Sequence, residues 1–185
     1  MKRMFVGVLG VLVFATVTLT AFAANPRGTA KLTLNGKTIS IEYGRPALNG
    51  RKVEDLLGQL PAGEAWRLGA DKSTTFTTSG DLKFGDVTVP KGEYSLWAQK
   101  ESDGSWKLVF NKQHGQWGVN KDGKANFDPS KNVGAVPLNM EKQGADKSEK
   151  AEKPAERVEI SLEKENGAGE ISVEWGTMEL TTTFK

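Results

Sequence analysis

The stretch TAKLTLNGKTISIEYG, residues Thr29 to Gly44, decides the fold. Apolar and polar residues alternate on both sides of Asn35-Gly36, a dipeptide that favours the positive φ angles of a two-residue hairpin turn. Such a turn predicts the opposite pairs Leu34–Lys37, Leu32–Ile39 and Ala30–Ile41. Both strands then turn their apolar side chains to one face of a sheet, which is typical of a half-buried antiparallel hairpin.

The same alternation recurs along the rest of the chain. Further strands are predicted at 74–78, 82–89, 94–98, 106–110, 136–140, 158–162, 171–175 and 178–184. Turns rich in Gly, Asn, Asp and Pro separate them, and residues 51–57 favour one or two turns of helix. About eight to ten short strands with little helix predict an all-β antiparallel sandwich or barrel.

Residues 1–23 are typical of a signal peptide. Lys2 and Arg3 precede a long apolar stretch, which ends in Ala21-Phe22-Ala23, the small-x-small pattern that a signal peptidase recognises. We expect cleavage after Ala23, a periplasmic or secreted protein, and no membrane span after cleavage. An uncleaved membrane anchor is the alternative, because the apolar stretch is nearly long enough to cross a bilayer.

The charge and cysteine counts exclude several classes of function. The chain has 25 basic and 23 acidic residues, and the predicted signal peptide carries two of the bases and no acid. The rest, residues 24–185, is therefore formally neutral, which speaks against a nucleic-acid partner. The absence of cysteine excludes disulfides, thiol nucleophiles and thiolate metal sites. We predict a single β-rich domain over residues 24–185, with a charged loop at about 141–157.

Five segments together resemble a bacterial family of exported domains of unknown function, DUF2911. They are IEYGRP (Ile41–Pro46), NGRK (Asn49–Lys52), GEAWRLGAD (Gly63–Asp71), VPKGEYSLW (Val89–Trp97) and FNKQHGQWG (Phe110–Gly118). The resemblance runs from about Asn25 to the C-terminus and implies a secreted or periplasmic β-rich domain with no assigned reaction. The chain departs from the family pattern in its charged tract near 142–153, and in Asp71, where Asn is common.

Trp66 and Arg67 admit two interpretations. In the first, Trp66 anchors the core and Arg67 pairs with Asp71 or Glu42, so that the segment is structural. In the second, Arg67 joins Arg45 and Arg51 around one mouth of the fold. Guanidinium groups bind carboxylates and phosphates in a bidentate manner, so such a cluster would suit an anionic ligand.

The loop Lys112-Gln113-His114-Gly115-Gln116-Trp117 is a second candidate site. A histidine, two amides and an indole on a Gly-rich loop are typical of the lining of a small-ligand pocket. The structural alternative is a surface loop whose Trp117 packs into the core. The predicted ligand-binding residues are therefore Arg45, Arg67, Asp71, His114, Gln116 and Trp117.

The sequence gives weaker support to catalysis. His114 is the single histidine, and neither a G-x-S-x-G elbow nor an H-E-x-x-H motif occurs, so no catalytic residue, metal or cofactor is predicted. A hydrolase is one alternative, because Glu64 and Asp71 flank Trp66 and an apolar ring raises the pKa of a nearby carboxyl. A scaffold without a small-molecule site is another. The sequence favours a non-catalytic module, ligand-binding or envelope-associated, for a small polar or anionic ligand.

Overall fold

The computed structural model describes residues 24–142 and 154–185. The predicted signal peptide and residues 143–153 of the charged tract lie outside the described residues. The described elements are β1 (Arg27–Leu34), β2 (Lys37–Gly44), α1 (Val53–Gly58), β3 (Ala65–Trp66), β4 (Thr74–Thr78), β5 (Leu82–Phe84), β6 (Val87–Val89), β7 (Gly92–Lys100), β8 (Trp106–Asn111), a 3-10 helix (Pro129–Lys131), β9 (Asn132–Lys142), β10 (Ala155–Glu165), β11 (Ala168–Gly176) and β12 (Met178–Phe184).

Nine of these strands form one antiparallel sheet that curls into a nearly closed barrel. Their order is β1-β2-β4-β7-β8-β9-β12-β11-β10, and the two outermost strands, β1 and β10, lie against each other. β5 and β6 form a separate hairpin, and β3 pairs with β7 beyond the end of β4. The predicted all-β antiparallel fold is confirmed, and the barrel is the form it takes.

The opening hairpin has the predicted register. Leu32 lies opposite Ile39 and Ala30 lies opposite Ile41, across a turn in which Asn35 and Gly36 have φ angles of 50° and 77°. Ala30, Ile39 and Ile41 are buried in the barrel, so the alternation of the sequence is the alternation of inside and outside.

The side chains of Tyr43, on β2, and Arg45, just after β2, form hydrogen bonds with β10 where the barrel closes. The Tyr43 hydroxyl donates a hydrogen bond to the Ile160 carbonyl at 3.2 Å, and Arg45 Nε donates to the Val158 carbonyl at 3.3 Å. The Arg45 guanidinium also forms an ion pair with Glu159. Arg45 is therefore part of the barrel wall.

The two ends of the barrel are covered differently. At one end the β5–β6 hairpin buries Phe84, whose ring lies 4.9 Å from Phe110 and 5.2 Å from Phe184. At the other end helix α1 buries Val53 and Leu57. Burying a large apolar side chain contributes about 1.5–3 kcal/mol, so both covers are held by packing.

The loop between β8 and β9, residues 112–131, folds over the outer face of β7 and β8. Trp97 points outward from β7, yet it is completely buried because Phe127 stacks on it at 4.7 Å. The backbone of the loop also bonds to the segment after β3: Ser73 N donates to the Gln116 carbonyl, and Gly118 N donates to the Asp71 carbonyl. These contacts bring the loop to the end of the barrel that carries α1.

The predicted loop at 141–157 is wrong at its edges. Strand β9 runs through Lys142, and β10 begins at Ala155, so both ends of the charged tract belong to strands. Glu141, Glu156 and Arg157 are exposed, so the charged side chains at the two ends of the tract are solvated although they belong to strands. Within the described residues, no helix has the length and apolar character needed to cross a membrane.

Candidate functional site

A cleft of about 950 Å³ opens at the end of the barrel that α1 covers. This volume is at the upper end of the range of small-molecule sites, roughly 300–1,000 Å³. Its charged lining residues are Arg51, Arg67, Lys124 and Arg157, against Glu64 and Asp122. The cleft therefore carries a net positive charge, although residues 24–185 as a whole are neutral.

Arg67 lies immediately after β3 and is half-buried in the cleft lining. Its Nε donates a hydrogen bond to the Gly69 carbonyl at 3.1 Å, which fixes the plane of the guanidinium. Burial lowers the pKa of this guanidinium, and the negative charge of Asp71 opposes that effect. Arginine stays charged nevertheless, so the cleft holds a cation that is only partly solvated. Such a cation attracts an anion more strongly than an exposed one does.

The backbone after Arg67 has a shape that few sequences allow. Leu68 and Asp71 have positive φ angles of 53° and 64°. Gly69 lies so close to the end of β2 that an added Cβ would come within 2.7 Å of the Gly44 carbonyl. The segment therefore folds back onto β2, and this fold places Arg67 at the cleft.

Gly118 provides the space for the Arg67 side chain. A Cβ at Gly118 would overlap Arg67 Cδ, and it would lie 3.1 Å from the Asp71 carbonyl oxygen. The loop over the outer face of the barrel thus contributes a glycine against which the arginine stem packs.

Two further arginines reach the cleft from distant parts of the chain. Arg51 donates to the carbonyls of Leu48 and Ala47, at 2.8 and 3.0 Å. Arg157, at the start of β10, donates to the Arg45 carbonyl at 3.0 Å. These acceptors are neutral, and a guanidinium has more N–H donors than these bonds use. Both side chains can therefore orient on the backbone and still bind an anion.

A stacked pair of indoles forms the aromatic part of the lining. The rings of Trp66 and Trp175 lie 5.5 Å apart with an angle of 12° between their planes. Trp66 is partly exposed, whereas Trp175 is 6% exposed. Within the described residues, the buried Trp175 Nε1 has no hydrogen-bond acceptor. The interpretation of Trp66 as a packing residue thus holds for one ring face, and the rest of the ring meets the cleft.

An exposed salt bridge crosses the rim of the cleft. Lys124 Nζ lies 3.0 Å from Glu64 Oε1, and this bond raises the pKa of the Lys124 ammonium. Glu64, one of the two carboxylates considered for a hydrolase, is therefore paired with a cation.

The structure does not bring the six predicted ligand-binding residues together in this cleft. Arg67 lines it, whereas Arg45 is bonded to β10 on the barrel wall. Asp71 acts on Arg67 through its charge. Its Oδ2 accepts hydrogen bonds from Asn25 N at 3.0 Å and Asn25 Nδ2 at 3.3 Å, so it holds the chain that leads into β1.

The other three predicted residues lie on the loop outside the cleft. His114 Nδ1 is 3.1 Å from Glu93 Oε1. Gln116 Nε2 donates to two carbonyls of its own loop, at 2.9 and 3.3 Å. Trp117 is 54% exposed, so the expectation that it packs into the core is wrong. Hydrogen bonds within the loop and the stacking of Phe127 on Trp97 hold the loop in place. Trp117 therefore does not need to pack into the core.

Arg157 and Trp175 are two cleft residues that the sequence did not reveal. Arg157 ends a charge-dense tract, and Trp175 follows the ordinary alternation of a strand. Only the order of the strands brings them near Arg67. The sequence signal that does point to the cleft is the tryptophan–arginine dipeptide itself.

The described residues contain no cluster of three or more His, Asp or Glu side chains that could hold a metal ion. Asp128 lies on the loop just before the 3-10 helix, and its Oδ1 accepts hydrogen bonds from Ser130 N and Oγ. These bonds lower the pKa of its carboxyl. Asp128 therefore caps the 3-10 helix.

The family described as "Protein of unknown function (DUF2911)" matches residues 25–184. The chain belongs to the DUF2911 family. The resemblance carried by its five segments is thus confirmed, and the match spans every described strand from β1 to β12. No curated protein and no solved structure matches this chain significantly.

Proposed function

We propose that this DUF2911 domain is an exported, non-catalytic binding module whose cleft holds a small anionic ligand. One observation carries the proposal: Arg51, Arg67 and Arg157 come from three separate parts of the chain and line the same cleft. Guanidinium groups bind carboxylates and phosphates through paired N–H donors, so their convergence favours an anion. The export part of the proposal rests on the signal-like sequence of residues 1–23.

The contacts of the carboxylates of Glu64 and Asp71 favour binding over hydrolysis. Glu64 is paired with Lys124, and Asp71 accepts two hydrogen bonds from Asn25. Both carboxylates are therefore engaged by donors of the protein itself, and neither is left unpartnered toward the cleft. The contacts of Glu64 and Asp71 thus hold neighbouring segments of the chain together, which is a structural role.

Arg67 is the residue on which the proposed function depends most directly. In a thermal-shift experiment, the purified protein is titrated with inorganic phosphate, citrate, D-glucuronate and D-glucose 6-phosphate. We expect at least one of these anions to raise the melting temperature by several degrees, because a ligand that binds only the folded state stabilises it. Arg67→Gln should lose that rise, since the amide keeps polarity but removes the charge.

Arg27→Gln is the matched control. Arg27 is an exposed arginine on β1 that does not line the cleft, so its variant should respond to the anion as the wild type does. The proposal fails if no anion shifts the wild type, or if Arg67→Gln keeps the full shift.

A further inference from the structure

We infer that the ligand of this cleft is an anionic sugar, a pyranose that carries a carboxylate or a phosphate. This inference rests on the proposed function and specifies its ligand. The arginines account for the anionic group, and three other features of the lining account for the sugar ring.

The first feature is the position of Trp66 in its stack. One face of its ring is covered by Trp175, and the remaining surface is part of the cleft. The C–H bonds of a pyranose carry small positive charges, which pack favourably on the negative face of an aromatic ring. A partly exposed indole beside an arginine therefore suits a ring that is apolar on one face and bears an acid at its edge.

The second feature is the unpaired N–H of Trp175. Its side chain is more than nine-tenths buried, it lines the cleft, and its Nε1 lacks an acceptor among the described residues. A buried donor without a partner is costly. Nε1 itself is shielded in this structure, so a small shift of the stacked indoles on binding would bring it to a ring hydroxyl of the sugar, which would supply the missing acceptor.

The third feature is a set of side-chain amides in the same lining as the arginines. Asn25, Asn49 and Gln59 all contribute to the lining. A side-chain amide offers a donor and an acceptor on one planar group, and neighbouring hydroxyls of a pyranose offer the complementary pair. An anion without hydroxyl groups uses the donors alone.

Titration calorimetry tests the inference with five probes: D-glucuronate, D-glucose 6-phosphate, neutral D-glucose, citrate and inorganic phosphate. We expect one of the anionic sugars to bind about tenfold more tightly than both neutral glucose and citrate, because it engages the indole and the arginines together. The glucuronate and glucose 6-phosphate arms also distinguish a carboxylate from a phosphate.

Two variants separate the role of the ring from that of the charge. Trp66→Leu should weaken the anionic sugar about tenfold and leave citrate unchanged, and Trp66→Phe should restore part of the loss. Trp117→Leu is the matched control, since it removes an indole that is exposed and lies outside the cleft. Its affinities should equal those of the wild type.

A nuclear magnetic resonance experiment on the wild type keeps the test independent of folding in the variants. Saturation of the indole protons should transfer to the ring protons of the anionic sugar. Citrate or phosphate binding as tightly as the sugars, with no effect of Trp66→Leu and no transfer, overturns the sugar inference and leaves the anion site in place. The absence of binding by every anion overturns the proposed function itself.

Discussion

Arg67 and Gly118 show how one residue of the cleft depends on another far along the chain. The stem of Arg67 packs where Gly118 has no side chain, and its Nε is held by the Gly69 carbonyl. The guanidinium is thus positioned before any ligand arrives, which reduces the entropy lost on binding. Position, and not charge alone, distinguishes this arginine from the exposed Arg27.

Gly118→Ala tests this positioning without removing a charge. The new Cβ would displace the Arg67 stem, so we expect anion affinity to fall several-fold and the free energy of unfolding to fall by about 1–3 kcal/mol. Calorimetry with the tightest anion and urea denaturation measure the two effects. Gly58→Ala is the control, because an added Cβ there meets no atom within 4 Å. Unchanged affinity in Gly118→Ala would contradict the positioning role.

At the scale of elements, the hairpin and the segment after β3 differ in what fixes them. The β1–β2 hairpin was predictable down to its register, because Asn35-Gly36 and the alternation on each side are local signals. The shape of residues 67–71 depends on contact with Gly44, which is more than 20 residues away. No local pattern in the sequence predicts that contact, so the direction of Arg67 was open to two interpretations.

Gly44→Ala should disrupt the contact between the end of β2 and the segment after β3. A Cβ at Gly44 would overlap the carbonyl oxygen of Ala70, which is backbone and cannot rotate away. We expect a loss of about 3 kcal/mol or more in the free energy of unfolding, measured by urea denaturation. Gly58→Ala serves again as the control. A Gly44→Ala protein as stable as the wild type would show that the two segments do not pack as described.

At the scale of the whole molecule, strand order was the information that the sequence lacked. The fold class follows from alternation and turns, which are local. The presence of Arg157 in the same cleft lining as Arg51 and Arg67 requires β10 to lie against the segment that follows β2. The residues in that contact are more than 100 positions apart in the sequence. For the same reason the sequence does not distinguish Arg45 from Arg67, whereas the structure places Arg45 in contact with the Val158 carbonyl and Glu159 of β10.

The two tyrosines link the integrity of the barrel to alkaline pH. Burial is the main cause that raises the pKa of both Tyr43 and Tyr94 above the ordinary value of 10.0. Because the folded pKa exceeds the unfolded one, their stabilising contribution is complete below pH 10 and is lost as the pH rises through the folded pKa. The melting temperature should therefore fall at alkaline pH.

The double variant Tyr43→Phe/Tyr94→Phe removes both titrating groups. It should be less stable at neutral pH, where the hydroxyls donate to the Ile160 and Pro90 carbonyls, and it should lose less stability between about pH 9 and 11. Thermal unfolding across that range measures the difference. An equal alkaline loss in wild type and variant would assign the effect to other groups.

The central claim is that the cleft beside Trp66 is the binding site, and the five indole N–H resonances test it most directly. The chain has five tryptophans, of which Trp66 and Trp175 line the cleft. Titration with D-glucuronate or D-glucose 6-phosphate, followed by nitrogen–proton correlation spectra, should shift the signals of these two and leave that of the exposed Trp117 unchanged. A shift of Trp117 alone would place the site on the outer loop, and no shift in any indole signal would contradict the account.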